Sequence, residues 1–253
     1  MDKIKKLDEL GIKNGDIILV HSSISKISRI FCPSNPKNFC DIFFDYLSQK
    51  VGPRGTLIFP TFYFSFCKGK PFSIKETKSE MGALTNYALS VPEAKRTKHP
   101  IYSFAVIGKY SKKFLEIKNI SAFSEKSVFG EVKRLNGKIM IIDLSYNKSM
   151  TFFHYIEETQ AVSYRFKKYF SGTYINEKGI ASEKIYSMMV RDLDKKVITD
   201  VEPMGNLFEE NGFVKKVSFN NGSFIKILNA SELFDFTVKN MKKNPFLLYK
   251  IGK

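Results

Sequence analysis

A chain of 253 residues, 43% of them hydrophobic, is long enough to bury a sizeable core, which excludes a disordered protein and fits one large domain. Its 41 lysines and arginines against 25 acidic residues give a net charge of +16, which favours an anionic partner (nucleic acid, a lipid surface or a phosphorylated small molecule) over a merely solvated lysine-rich face only in part. No apolar run reaches the roughly 18 residues of a membrane span, the charged start "MDKIKKLDEL" is unlike a signal peptide, and Cys32, Cys40 and Cys67 lack metal or redox spacing, so a cytoplasmic protein with reduced thiols is expected.

In chain order, "DIILVHSS" (16–23) is the first expected strand, because its apolar residues run nearly unbroken, as in strands buried on both faces. The next segment, "PSNPKNFCDIFFDYLSQKVGP", reads as a helix with Ile42, Phe43, Tyr46 and Leu47 on one face and Gly52-Pro53 at its end. "GTLIFPTF" (55–62) is a second strand. "SEMGALTNYALSVPEA" holds a short helix ending before Pro92, and "SFAVIGK" (103–109) and "GKIMIIDL" (137–144) are further buried strands. Strands alternating with helices indicate an α/β layered core. Beyond residue 170 the segments shorten. Asn221-Gly222 in "SFNNGSFIKI" signals a hairpin, and "NASELFDFTVKNMKKNP" a helix capped by Asn229 or Ser231 and stopped by Pro245. The expected organisation is one domain over 1–253, with a core over 1–170 and a β-rich extension with a C-terminal helix over 171–253.

"SMTFFHYIEETQ" follows the 137–144 strand after a short polar loop and should be a helix starting near Ser149 or Thr151. Residues three apart share a helix face, so Thr151, His154 and Glu157 form one row. A carboxylate beside an imidazole fixes its tautomer and stabilises its cation, which describes a general base with its orienter; it describes a structural hydrogen bond equally well. A metal site has less support, since the other two histidines, His21 and His99, lie in unrelated segments. Both nonetheless fall near strand ends, where α/β sheets place ligands, and "HSSIS" offers hydroxyls and N–H groups before a helix.

Six ordered blocks, "GIKNGDIILVHSSIS", "VGPRGTLIFPTFYFSF", "MGAL", "RTKHPIYSFAVIG", "SVFGEVKRLNGKIMIID" and "TFFHYIEE", resemble the aminoglycoside 3-N-acetyltransferase family over about residues 10 to 170; "YRFKKY" extends the likeness loosely. The resemblance implies an α/β/α sandwich with a strand-rich C-terminal extension, and acetyl transfer from acetyl-CoA to a primary amine without a metal. In its TxxHxxE motif the catalytic residues would be His154, Glu157 and Thr151. The acyl-CoA cleft would involve His21, Ser22, Ser23, Ser25, His99, Ser103, Phe129 and Gly130, and the acceptor would meet Tyr63 and Tyr102. Two departures stand out: this chain has "DLSYNKSM" where family members commonly carry both a glycine-containing turn and an aspartate shortly before the motif, and Tyr102 stands where many members have a histidine.

The acceptor expectation comes from charge. Aminoglycosides are polycations, whereas this chain is strongly basic, so an amino sugar linked to a nucleotide diphosphate, as in surface-glycan (lipopolysaccharide) biosynthesis, is preferred to an antibiotic. An aminoglycoside is the alternative, and a nucleic-acid-binding protein on an inactive scaffold is the alternative of another class. The dispersed basic residues and the absence of any nucleic-acid-binding signature speak against the last. The expected partners are acetyl-CoA and an amino-sugar substrate, with no nucleic acid, no membrane, and room for a homodimer.

Overall fold

The computed structural model describes residues 3–252. Its strands are β1 (Ile17–Ser22), β2 (Thr56–Pro60), β3 (Phe72–Ser73), β4 (Lys95–Arg96), β5 (Phe104–Gly108), β6 (Lys138–Ile142), β7 (Arg165–Ile175), β8 (Ala181–Arg191), β9 (Val197–Thr199), β10 (Lys215–Ser218), β11 (Phe224–Asn229) and β12 (Tyr249–Ile251). Seven of them form the main sheet in the order β10-β11-β6-β1-β2-β5-β4. The four strands expected from apolar runs are its middle: β6, β1 and β2 are parallel, and β5 is antiparallel to β2.

The unbroken apolar runs follow from burial on both faces. In β1, Ile17 and Leu19 enter one apolar cluster, shared with Phe129, Phe152, Phe153 and Leu233. Ile18 and Val20 enter the other, shared with Ile27, Phe43, Leu47 and Leu84. Helices therefore cover both faces, and the fold is the three-layer α/β/α sandwich.

The helix Phe39–Val51 buries Phe39, Cys40, Phe43, Phe44, Tyr46, Leu47 and Val51. Ile42, expected on that face, is 39% exposed, because the buried stripe centres on Cys40, Phe43 and Leu47, leaving position 42 on the flank. The helix Ala83–Ser90 ends before Pro92 as expected. Asn229, not Ser231, caps the helix Ala230–Met241, its side chain accepting from the N–H groups of Ser231 and Glu232. Pro245 does not stop that helix directly; it opens a separate 3-10 turn, Pro245–Leu247.

The C-terminal third enters the core more deeply than an added layer would. The expected hairpin is β10–β11, with Gly222 at φ 79° in its loop, and β11 pairs antiparallel with β6, completing the main sheet. The long β7–β8 hairpin, joined by β3, forms a separate three-stranded sheet, and β9 pairs with β12 in a two-stranded ribbon. Among the described residues no helix is long and apolar enough to cross a membrane.

Candidate active site

The segment read as a polar loop after β6 contains a helical turn, Tyr146–Ser149, and a second helix, Phe152–Thr159, follows. Phe152, Phe153 and Ile156 are fully buried, which pins this helix to the sheet and leaves His154 at its margin with a side chain 20% exposed. Thr151 precedes the first turn and its carbonyl accepts from the His154 N–H at 3.0 Å, while its hydroxyl caps no backbone group. The expected row Thr151, His154, Glu157 is thus present.

Nδ1 of His154 lies 2.6 Å from Oε2 of Glu157, whose side chain is wholly buried. Tyr164 donates its hydroxyl to Oε1 at 2.9 Å, and Nε of Arg165, itself buried, lies 2.7 Å from Oε2. Burial alone would raise the Glu157 pKa; His154 and the Arg165 guanidinium outweigh it and hold the carboxyl below its ordinary value. The carboxylate is ionised and has no proton to give, so Nδ1 is the protonated nitrogen and Nε2 carries the free lone pair. Burial, reinforced by Arg165, lowers the His154 pKa against the opposing pull of Glu157, leaving the imidazole neutral near pH 7. A neutral imidazole with one nitrogen fixed and the other open is able to take a proton from a bound nucleophile. The sequence reading missed Arg165 and Tyr164; the signal was "YRFKKY", where an arginine opens a strand.

A run of ring contacts leads away from His154. Phe123 meets the imidazole edge to face at 5.2 Å, Tyr102 meets Phe123 at 4.7 Å, and Tyr102 and Tyr186 flank His99 at 6.4 and 4.9 Å. Tyr102, expected at the acceptor, therefore reaches His154 through Phe123. Tyr63 is half-buried and packs on Phe72.

His99 was expected to form the acyl-CoA cleft, but neither ring nitrogen is free for a ligand. Nδ1 accepts from the Tyr102 N–H at 3.1 Å, which leaves Nε2 to donate to the Ile120 carbonyl at 3.1 Å. Its role is that of a wall: His99 lines an open cavity of about 280 Å³ with Lys98, Lys118, Lys184 and Tyr186. Ser103, also expected to touch the cofactor, is fully buried. Its hydroxyl bonds the Thr61 carbonyl at 2.7 Å and receives Arg96 Nε at 3.0 Å, so it holds the β2–β5 edge together and presents nothing to a ligand. Phe129 and Gly130 lie in the core as well. Phe129 packs on Phe123 and Phe152, and a Cβ at Gly130 would meet the Glu125 carbonyl oxygen at 2.1 Å, so that glycine serves the close docking of its helix behind the ring wall.

His21 lies at the end of β1 on the face of Ile17 and Leu19, hence on the side of the His154 helix. Its Nε2 is buried without a partner among the described residues. Ser22 and Ser23 are half-buried at the same strand end, and Ser25 is exposed. The strand-end placement read from sequence holds, but these hydroxyls do not cap the following helix, Ile27–Phe31.

Burial pushes both His21 and His99 down to about 4 from the ordinary 6.5. Each is neutral in the folded chain but takes up a proton near pH 6.5 when unfolded, so stability is full above that pH and is lost as the pH falls toward 4. The loss amounts to about 3 kcal/mol per histidine at its limit. The melting temperature should therefore drop steeply between pH 7 and 5; a flat profile would contradict the neutral, buried assignment. Among the described residues no group of three or more His, Cys, Asp or Glu side chains could hold a metal ion.

The family model described as aminoglycoside 3-N-acetyltransferase matches residues 19–242. Aminoglycoside N(3)-acetyltransferase IV of Salmonella sp is 24% identical over 151 residues, covering 58% of this chain and 54% of that one. The chain spans between 54% and 61% of the curated relatives it matches. Among solved structures, AAC-IIIb in binary complex with CoASH matches with a TM-score of 0.77 at 17% identity, over 95% of this chain and 94% of that one. AAC-VIa bound to sisomicin matches with a TM-score of 0.78 at 17% identity, over 95% and 96%. At such identity these two speak for a shared fold.

Proposed function

The chain belongs to the aminoglycoside 3-N-acetyltransferase family, and from that premise we propose that it moves an acetyl group from acetyl-CoA to a primary amine of an amino sugar, with His154 as general base. The observation that carries this reading is the buried pairing of Nδ1 with Glu157 at 2.6 Å, which leaves Nε2 as the proton acceptor. The amine nitrogen attacks the thioester carbonyl as its proton passes to Nε2. The tetrahedral oxyanion then collapses, the C–S bond breaks, and the imidazolium returns the proton to the departing thiolate. Thr151, half-buried and with a hydroxyl that caps no backbone group, is our candidate donor to the oxyanion. No side chain is acetylated in this scheme. Burial holds the thiols of Cys32, Cys40 and Cys67 above their ordinary pKa, which opposes thiolate formation. The cavity beside His99, with Lys98, Lys118 and Lys184 around it, suits the phosphates of CoA.

For the acceptor we place an aminoglycoside first, because the named relatives act on or bind aminoglycosides. A nucleotide-linked amino sugar is the second reading and rests on the net charge of +16 alone. A thiol-release screen with acetyl-CoA against both classes decides between them: efficient turnover confined to nucleotide sugars would reverse the order, and no turnover with either would reject the reading. Salt adds a second criterion. With acetyl-CoA saturating, raising ionic strength from about 0.05 to 0.5 M should increase kcat/KM for a polycationic aminoglycoside and decrease it for a nucleotide sugar, since screening weakens the basic field. A fall with an aminoglycoside would mean that its cleft is locally acidic.

A further inference from the structure

We propose that Tyr164 and Arg165 are positioning residues for His154, acting through Glu157, and that the β9–β12 ribbon at the far end of the chain holds both in place. The inference rests on the reading of His154 as base. Both carboxylate oxygens of Glu157 have fixed partners: Oε1 receives the Tyr164 hydroxyl at 2.9 Å, while Oε2 meets His154 Nδ1 at 2.6 Å and Arg165 Nε at 2.7 Å. Rotating the carboxylate away from the imidazole would break the Tyr164 bond as well, so the pair is locked from its buried side. The two positioning residues are themselves anchored. Arg165 donates to Oγ1 of Thr199 on β9 at 2.8 Å, and the Tyr164 ring stacks on Tyr249 of β12 at 3.8 Å. Thr199 and Tyr249 are register partners across the ribbon.

The charges work in opposition. Glu157, on the histidine's own helix, favours the imidazolium; Arg165, from the start of β7, disfavours it. Phe123, the ring in contact with the imidazole, is uncharged, and behind it stands Tyr102, whose pKa burial raises, so it too is neutral. Burial is the largest cause that keeps the imidazole neutral, and Arg165 adds to it against the pull of Glu157. With Arg165 present, the carboxylate orients the ring while its charge is largely balanced.

The chain has three histidines, so nitrogen-15 NMR of histidine-labelled full-length protein can follow each ring without any substrate. The wild type should show His154 with a protonated Nδ1 and an unprotonated Nε2, titrating below the ordinary histidine value. Arg165→Met should raise the His154 midpoint measurably, and Arg165→Lys should restore most of the shift by returning the charge. Tyr164→Phe and Tyr249→Ala should leave the charge in place but mix the two ring tautomers. An unmoved midpoint in folded Arg165→Met, or a protonated Nε2 in the wild type, would overturn the proposal. Should Arg165→Met fail to fold, the tyrosine variants decide: an unmixed tautomer in both would overturn it. If the titration behaves as stated but no amine is acetylated, the positioning unit stands and the proposed function fails.

Discussion

On the proposed reading, replacing His154 by alanine should lower kcat for acetyl transfer by about 10²–10⁴-fold while acetyl-CoA binding is kept, because the variant would lose proton removal from the attacking amine. The expected loss falls on kcat and kcat/KM together. The side chain lies at the margin of its helix, 20% exposed, and the pinning of that helix comes from Phe152, Phe153 and Ile156, so the variant should fold. Steady-state kinetics with a saturating acceptor checks this, and near-normal turnover in the folded variant would remove His154 from the chemistry.

Glu157→Gln should have two effects of different origin. The amide cannot balance Arg165, which remains buried, and breaking a buried pair by removing one partner costs about 3–5 kcal/mol. For a chain of this size that corresponds to a melting temperature lower by about 10 °C. In catalysis the loss should be smaller than for His154, since the amide oxygen can still accept from Nδ1–H. The double variant should be little slower than the histidine variant alone, because residues acting as one unit are not additive. Additive losses in kcat would show that His154 and Glu157 work separately, and an unchanged melting temperature would show that Arg165 does not depend on the Glu157 charge.

The legible parts of this protein are those fixed by local order. The middle strands show in the sequence because burial on both faces demands unbroken apolar residues, as in Ile17 to Val20. His154 and Glu157 show because three-residue spacing places them on one helix face whatever the rest of the chain does. The surroundings of that pair do not show. Thr199 and Tyr249 join it only through the β9–β12 ribbon, a contact set by chain topology. Periodicity within one segment carries no trace of such contacts. The same limit explains β11: its alternation signals a hairpin, but pairing with β6 depends on what lies beside it in space. His99 and Ser103 show that residue type alone does not tell which polar atoms are free. Their residue types suit a ligand site, yet the Tyr102 N–H with the Ile120 carbonyl in one case, and Thr61 with Arg96 in the other, already occupy their polar atoms.

Direct transfer assisted by His154 is tested most plainly by following an isotope-labelled acetyl group from acetyl-CoA by mass spectrometry, with an aminoglycoside as acceptor and the wild type and His154→Ala side by side. The account predicts one labelled amide on the sugar, formed quickly by the wild type and slowly by the variant, with no label on the protein at any time. Label held on a cysteine or any other side chain during turnover, or equal rates from the two proteins, would contradict it.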